Sequence, residues 1–202
     1  MGANGEGRGD RGRVTPGDRA LARRLDERLR EVPVDRDAFA RAVDRLVDEI
    51  ENARSQPARL LTMLAEAAPL LRIAGRLEEA RKTASAAIAL AELQENAEAA
   101  FANQLELAQV MQWEGRFEIS TPLFDRLIAQ ARSAPSFAGS LHTVLHQAGT
   151  NQLDQGHHAE AARFFREAQA LRRRLGLDDL LESSAEAIRR TTELAGARGV
   201  KR

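Results

Sequence analysis

GRLEEARKTASAAIAL (75–90), GRFEISTPLFDRLIAQ (115–130) and GHHAEAARFFREAQAL (156–171) each open on a glycine, and these glycines stand 40 and 41 residues apart. Each separates two stretches rich in helix formers. The fifth residue after the glycine is Ala80, Ser120 or Ala161, the ninth Ala84, Phe124 or Phe165, and the twelfth Ala87, Leu127 or Ala168. Offsets of five, nine and twelve fall on one face of a helix. Upstream, Leu71, Met111 and Gln152 precede the glycine by four, and Ala68, Ala108 and Gly149 by seven. A small residue at the latter position lets a neighbouring helix approach closely. Self-similarity at such a period marks a solenoid, in which each helical hairpin buries its apolar face only by stacking on the next.

Reading outward from the repeat, glycine and proline become sparse from Asp18 onward, and alternating strand patterns are absent. The spacing of apolar residues predicts helices over Asp18–Glu31, Asp37–Arg54, Pro57–Ala74, Leu77–Gln94, Ala97–Glu114, Phe117–Ser133, Ser136–Gln155, His158–Leu175 and Asp179–Ala195. Pro57 suits a first helical turn, and Asn96 can cap the helix beginning at Ala97. Gly75, Gly115, Gly156 and Gly176 sit where a helix must stop and the chain reverse. Pro69 falls inside a predicted helix, where a kink or break is expected. Residues 1–16 mix Gly, Arg and Asp with too little apolar content to order, and are expected to be a disordered tail. The organisation read from the sequence is thus a tail (1–16), N-terminal helices (17–56), repeats (57–176), a C-terminal capping helix (177–196) and a short tail (197–202).

Composition narrows the function. Thirty basic residues balance thirty acidic ones, so no global field recruits nucleic acid or a membrane surface. The chain contains no cysteine, which removes thiolate nucleophiles, disulfides and cysteine-bound zinc and fits a reducing cytoplasm. No stretch approaches the roughly 18 apolar residues that a membrane span requires. A phosphate loop of the Walker type and a GxSxG elbow are both missing. The string GRGDRG (7–12) matches GxGxxG but follows no strand, and it is read as chance. No cofactor motif is present, and a non-catalytic protein is expected.

The turn glycine, the small residues at five and twelve and the aromatic at nine resemble the tetratricopeptide repeat family. Gly149, Gly156, Ala161, Phe165 and Ala168 match its pattern best. The run NQLDQGHHAEAARFFREAQALRRRLG (151–176) is similar to the longer-period repeats of the kinesin light chain type, whose period exceeds the usual 34 or so residues. Ser120 departs from the family's alanine. The resemblance implies an all-α, right-handed solenoid of α-hairpins, about three of them plus flanking helices. It implies a protein or peptide partner in a concave groove lined by the first helix of each hairpin. Carried over by offset from the turn glycine, the groove positions are Thr62, Ala65 and Arg72, then Leu105, Gln109, Gln112 and Trp113, then Thr143, His146, Thr150 and Asp154. Gln109, Gln112, Trp113, His146 and Thr150 form the expected binding set. The carboxylate clamp of arginine, asparagine and lysine known in some members is missing.

Other residues have blander readings beside the functional ones. Trp113 is either a groove hot spot or a plug sealing the hairpin end. His142 and His146 share a helix face, yet no acidic residue completes a metal site, so no metal is expected. Arg172, Arg173 and Arg174 end a helix, where cations complement the helix dipole. Two further readings fit the same sequence: a regulator that senses a peptide or small metabolite, and a homo-oligomer built on Phe39, Val43, Leu46, Val47 and Ile50.

Overall fold

The computed structural model of the chain describes residues 19–53 and 55–199, with side chains through residue 196. Residues 1–16, with the expected N-terminal tail and the GRGDRG string, and residues 200–202 lie outside the described residues, whereas 197–199 of the expected C-terminal tail continue the last helix. The element order is β1 (Arg23–Leu25), β2 (Glu31–Pro33), α1 (Arg36–Asn52), α2 (Pro57–Ile73), α3 (Leu77–Leu93), α4 (Ala97–Trp113), α5 (Phe117–Ser133), α6 (Leu141–Asp154), α7 (His158–Arg174) and α8 (Leu181–Gly199). Short 3-10 turns over Pro135–Ser140 and Asp178–Leu180 lead into α6 and α8.

The turns behave as their glycines require. Gly75, Gly115, Gly156 and Gly176 have φ between +68° and +79°, the left-handed region that costs glycine nothing. At each, the next amide closes back on the carbonyl five residues earlier, as in Arg76 N to Leu71 O and His157 N to Gln152 O, both 2.9 Å. The turn between α3 and α4 has the same closure, Asn96 N to Ala91 O at 2.8 Å, but Glu95 takes the left-handed place at φ 53°. Asn96 then caps α4 by accepting from the Ala99 amide at 3.0 Å. Pro69 sits inside α2, which runs on to Ile73. The proline withholds one donor from the helix without ending it.

Each helix packs chiefly on its neighbours in sequence, and α4 also touches both α2 and α6. These are the first helices of three successive hairpins, so they form the inner wall of the stack. The repeat offsets supply its core. Ala80, Ser120, Ala161, Ala84, Phe124, Phe165, Ala87, Leu127 and Ala168 are all at most 1% exposed. Ala68, Ala108 and Gly149 are buried too. At Gly149 the reason is direct: an added Cβ would lie 2.6 Å from Phe165 Cε1. The helix α1 closes one end, with Phe39 and Val43 fully buried against Ala67 and Leu71, while Leu46, Val47 and Ile50 pack at the margins. Of the residues on the self-association ridge, Phe39 and Val43 are therefore covered within the chain, whereas Leu46, Val47 and Ile50 stay half-buried.

The expected helix over Asp18–Glu31 is corrected. Most of that stretch forms an antiparallel hairpin pairing Arg23 with Pro33, Arg24 with Val32 and Leu25 with Glu31. Asp26 bends the chain by accepting from the amides of Arg28 (2.8 Å) and Arg30 (2.9 Å). That side-chain turn competes directly with helical hydrogen bonding. Leu29 then takes φ 61°, and Pro33 cannot donate within a helix.

Candidate functional site

The C-terminal ends of α2, α4 and α6 converge on one polar cluster of the inner wall. Arg72 in the last turn of α2 lies beside Glu106 of α4; its Nε donates to Oε1 at 2.6 Å and its Nη2 to Oε2 at 3.3 Å. Both residues are buried. Burial pushes the Glu106 carboxyl above the ordinary carboxylate range; Arg72 pulls it back, and the nearby charge of Glu31 adds to the push. Glu106, Gln109 and Trp113 are three and four residues apart and so share a helix face. Gln109 Nε2 donates weakly to Glu106 Oε2 at 3.4 Å. Asp154, the last residue of α6, accepts from Gln112 Nε2 at 2.9 Å.

A second chain segment enters this cluster. Arg30, in the turn of the β hairpin, donates from Nη2 to Asp154 Oδ2 at 2.7 Å. The Asp154 side chain is only 4% exposed. The guanidinium carbons of Arg30 and Arg72 lie 5.1 and 4.8 Å from the centre of the Trp113 ring, within cation–π range. The hairpin is also gripped from the C-terminal side. Arg190 of α8 donates from Nε to the Glu27 carbonyl at 3.0 Å, and Leu29 packs near Leu153, Phe165 and Ala187. Beside the hairpin turn, a cleft of about 280 Å³ is bounded by Glu27, Arg28, Leu153, Asp154, His158 and Arg190, among others.

Of the groove residues expected from sequence, Gln109, Gln112, Trp113, Arg72 and Asp154 come together here. Thr150 is buried with its hydroxyl donating to the Gln147 carbonyl at 2.7 Å. His146 belongs to a different cluster. Its ring tilts against Phe165 at 5.1 Å, and Arg172 Nη1 approaches its Nδ1 at 3.5 Å. Burial, then Arg172 and His142, hold the His146 imidazole down at about 3. Arg172 does more than complement the dipole at the end of α7. It is 5% exposed and donates to the Leu180 carbonyl and to the hydroxyls of Ser183 and Ser184, tying α7 to the start of α8. Arg173 and Arg174 are exposed. A guanidinium beside both His142 and His146 would also repel a metal ion there, and no cluster of three metal-ligating side chains exists among the described residues. Thr143 faces a separate cleft with Phe101, Leu105 and Phe137.

Sequence reasoning missed Arg30 and Glu106. Glu106 carried a usable signal, since it lies three before Gln109 and seven before Trp113 on the inner face of α4. Arg30 had none: it sits in a stretch read as helix and meets Asp154 across 124 residues of sequence.

No family model and no curated protein matches the chain. Solved structures do. It is similar to the nearly identical TPR-like repeats described for a kinesin light chain of Podosopora anserina, with TM-score 0.58 and 19% identity over 81% of this chain and 82% of that one. A point variant of the same repeats gives TM-score 0.59 and 18% identity over 81% of both chains.

Proposed function

From a fold of TPR-like helical repeats, we propose that this chain is a non-catalytic adaptor that binds a peptide or partner domain on its concave face, with Gln109, Gln112 and Trp113 at the centre of the contact. His146 and Thr150, farther back along α6, shape the wall. The observation that carries the reading is that this face already holds a polypeptide segment, the chain's own hairpin, through Arg30 on Asp154 and Trp113. A surface able to take one extended segment by ion pair, ring stacking and amide contact has the chemistry to take another. The charged groups here are matched, Arg72 with Glu106 and Arg30 with Asp154. That pairing suits recognition better than proton transfer, which needs a group free to give or take a proton. No helix among the described residues is long and apolar enough to cross a membrane. With no cysteine in the chain, we place it in the cytoplasm.

The test is partner capture from the native cell with the wild-type chain and the Trp113→Ala chain. Truncating a central interface tryptophan typically costs about 2 kcal/mol or more, so retention should fall at least tenfold while helicity stays unchanged. Undiminished capture by a folded Trp113→Ala chain would move the binding surface elsewhere.

A further inference from the structure

We propose that the Trp113–Asp154–Gln112 cluster is an arginine-recognition pocket, that Arg30 of the β hairpin is its built-in occupant, and that the partner presents an arginine that takes Arg30's place. This rests on the groove reading above and specifies its ligand.

Three features of the pocket call for a guanidinium. Asp154 is nearly closed to solvent, and it accepts from Arg30 and Gln112. A carboxylate in that position needs a cation to offset its lost hydration. The ring of Trp113 adds a flat face, on which a planar guanidinium stacks better than a compact, strongly hydrated ammonium. The pocket also lies at the C-terminal ends of α4 and α6, where unpaired carbonyls favour positive charge.

Other features mark the hairpin as a replaceable occupant. Its strands are three residues each, and a lone two-stranded hairpin is marginal in water. Arg23, Arg24 and Leu25 face solvent. Its fit is also incomplete: the buried Gln112 Oε1 and Arg30 Nε have no hydrogen-bond partner among the described residues. A segment that donated to Gln112 Oε1 and left no guanidinium nitrogen of its own unpaired would hold more tightly than the hairpin does. Because the hairpin is tethered, it competes at a high effective concentration, and an incoming segment binds only the fraction of molecules whose pocket is open.

Trp113 is the chain's single tryptophan, and there is no tyrosine, so its emission reports on this pocket alone. The probes are peptides of residues 21–34 (LARRLDERLREVPV), one with Arg30 intact, one with Arg30→Lys and one with Arg30→Ala. Each is titrated into the wild-type chain and into the full-length Arg30→Ala chain, with circular dichroism as the control for folding. The intact peptide should bind the Arg30→Ala chain at least about tenfold tighter than it binds wild type. On that chain, the lysine peptide should be weaker and the alanine peptide weaker by about tenfold or more. If the Arg30→Ala chain loses helicity, the Arg30→Lys chain, which keeps a charge on Asp154, takes its place, and the same order of peptides is expected. Equal binding of the arginine and alanine peptides overturns the arginine pocket and leaves the groove reading standing. If no peptide changes Trp113 emission in either chain, the pocket proposal falls, and undiminished capture by Trp113→Ala would then remove the groove reading as well.

Discussion

Replacing Gly149 with alanine sets two effects against each other, and the structure decides the sign. Gly149 lies in the interior of α6, where alanine ordinarily stabilises a helix by about 0.5–1 kcal/mol. Here the new Cβ would meet Phe165 at 2.6 Å from Cε1, 2.8 Å from Cδ1 and 3.0 Å from Cζ. Carbon atoms at rest sit about 3.5–4.0 Å apart, so the ring would have to retreat by nearly 1 Å. It has little room to do so, because Phe165 is fully buried and packs with Leu153, Ala161 and Ala187 under the His146 ring. Overfilling a packed core costs about 1–3 kcal/mol, which leaves a net loss of about 1–2 kcal/mol. Urea unfolding followed at the helical circular dichroism band should show a lower midpoint with an unchanged slope. The control is Gly139→Ala, whose added Cβ meets nothing within 4 Å and should be close to neutral. Adding Phe165→Leu to Gly149→Ala should cost less than the sum of the two single changes, because the substitutions share one space. A Gly149→Ala chain as stable as wild type would refute the claim that this small residue exists to admit the neighbouring aromatic.

Two further outcomes follow from buried charge. Arg72→Ala should destabilise by about 3–5 kcal/mol, because it strands the Glu106 carboxylate in a closed site, whereas replacing the pair together by Arg72→Met and Glu106→Leu should come close to wild type; denaturant melts of the three chains distinguish the cases. Acidification should weaken the fold through His146. Unfolded, that ring takes a proton near 6.5; folded, between Phe165, Arg172 and His142, it stays neutral down to about 3. The unfolded state thus binds the extra proton across that window, and stability falls as pH drops through it. From pH 7 to 5 the loss attributable to His146 is about 1–2 kcal/mol. A His146→Gln chain should show a correspondingly flatter dependence in melts at the two pH values, and identical slopes would refute the assignment.

The repeat was legible because its determinants are local. A left-handed turn needs a residue that tolerates positive φ, and closely packed helices need small side chains at fixed offsets. Both leave marks at a constant spacing, which is why Gly75, Gly115 and Gly156 located the hairpins and their offsets located the core. Where a different residue meets the same demand, the mark disappears, as with Glu95 at φ 53°. The hairpin was misread for a related reason. Leu21, Leu25 and Leu29 recur every four residues and imitate a helical stripe, and the Asp26 side-chain turn that overrides it involves only five residues. The site was half legible. Arg72, Gln109, Gln112, Trp113 and Asp154 follow from offsets on the inner helices. Their charges are settled by partners 34 residues away for Arg72 and Glu106 and 124 away for Asp154 and Arg30, and no periodic pattern records pairings of that kind. Arg172 shows the converse. A cation at a helix end reads as a partner of the helix dipole, yet here the chain also folds the start of α8 over it.

The same chemistry that would make the groove selective also explains why it is filled. A carboxylate as enclosed as Asp154 has lost most of its hydration, and without a cation it would burden the folded state by several kcal/mol. An open apolar groove can wait empty at modest cost; one built around a buried charge cannot. The hairpin resolves this within the chain by bringing Arg30, and Arg190 and Leu29 hold the hairpin in place. On the proposed reading, binding of a partner is an exchange of one arginine for another, in which the buried ion pair is conserved. The net affinity comes from whatever the partner adds beyond it: the unspent oxygen of Gln112, the cleft by the hairpin turn, and contacts farther along α4. In such an exchange, raising salt weakens the cis and trans contacts together. Simple docking onto an open basic or acidic face would instead lose affinity with every increment of ionic strength.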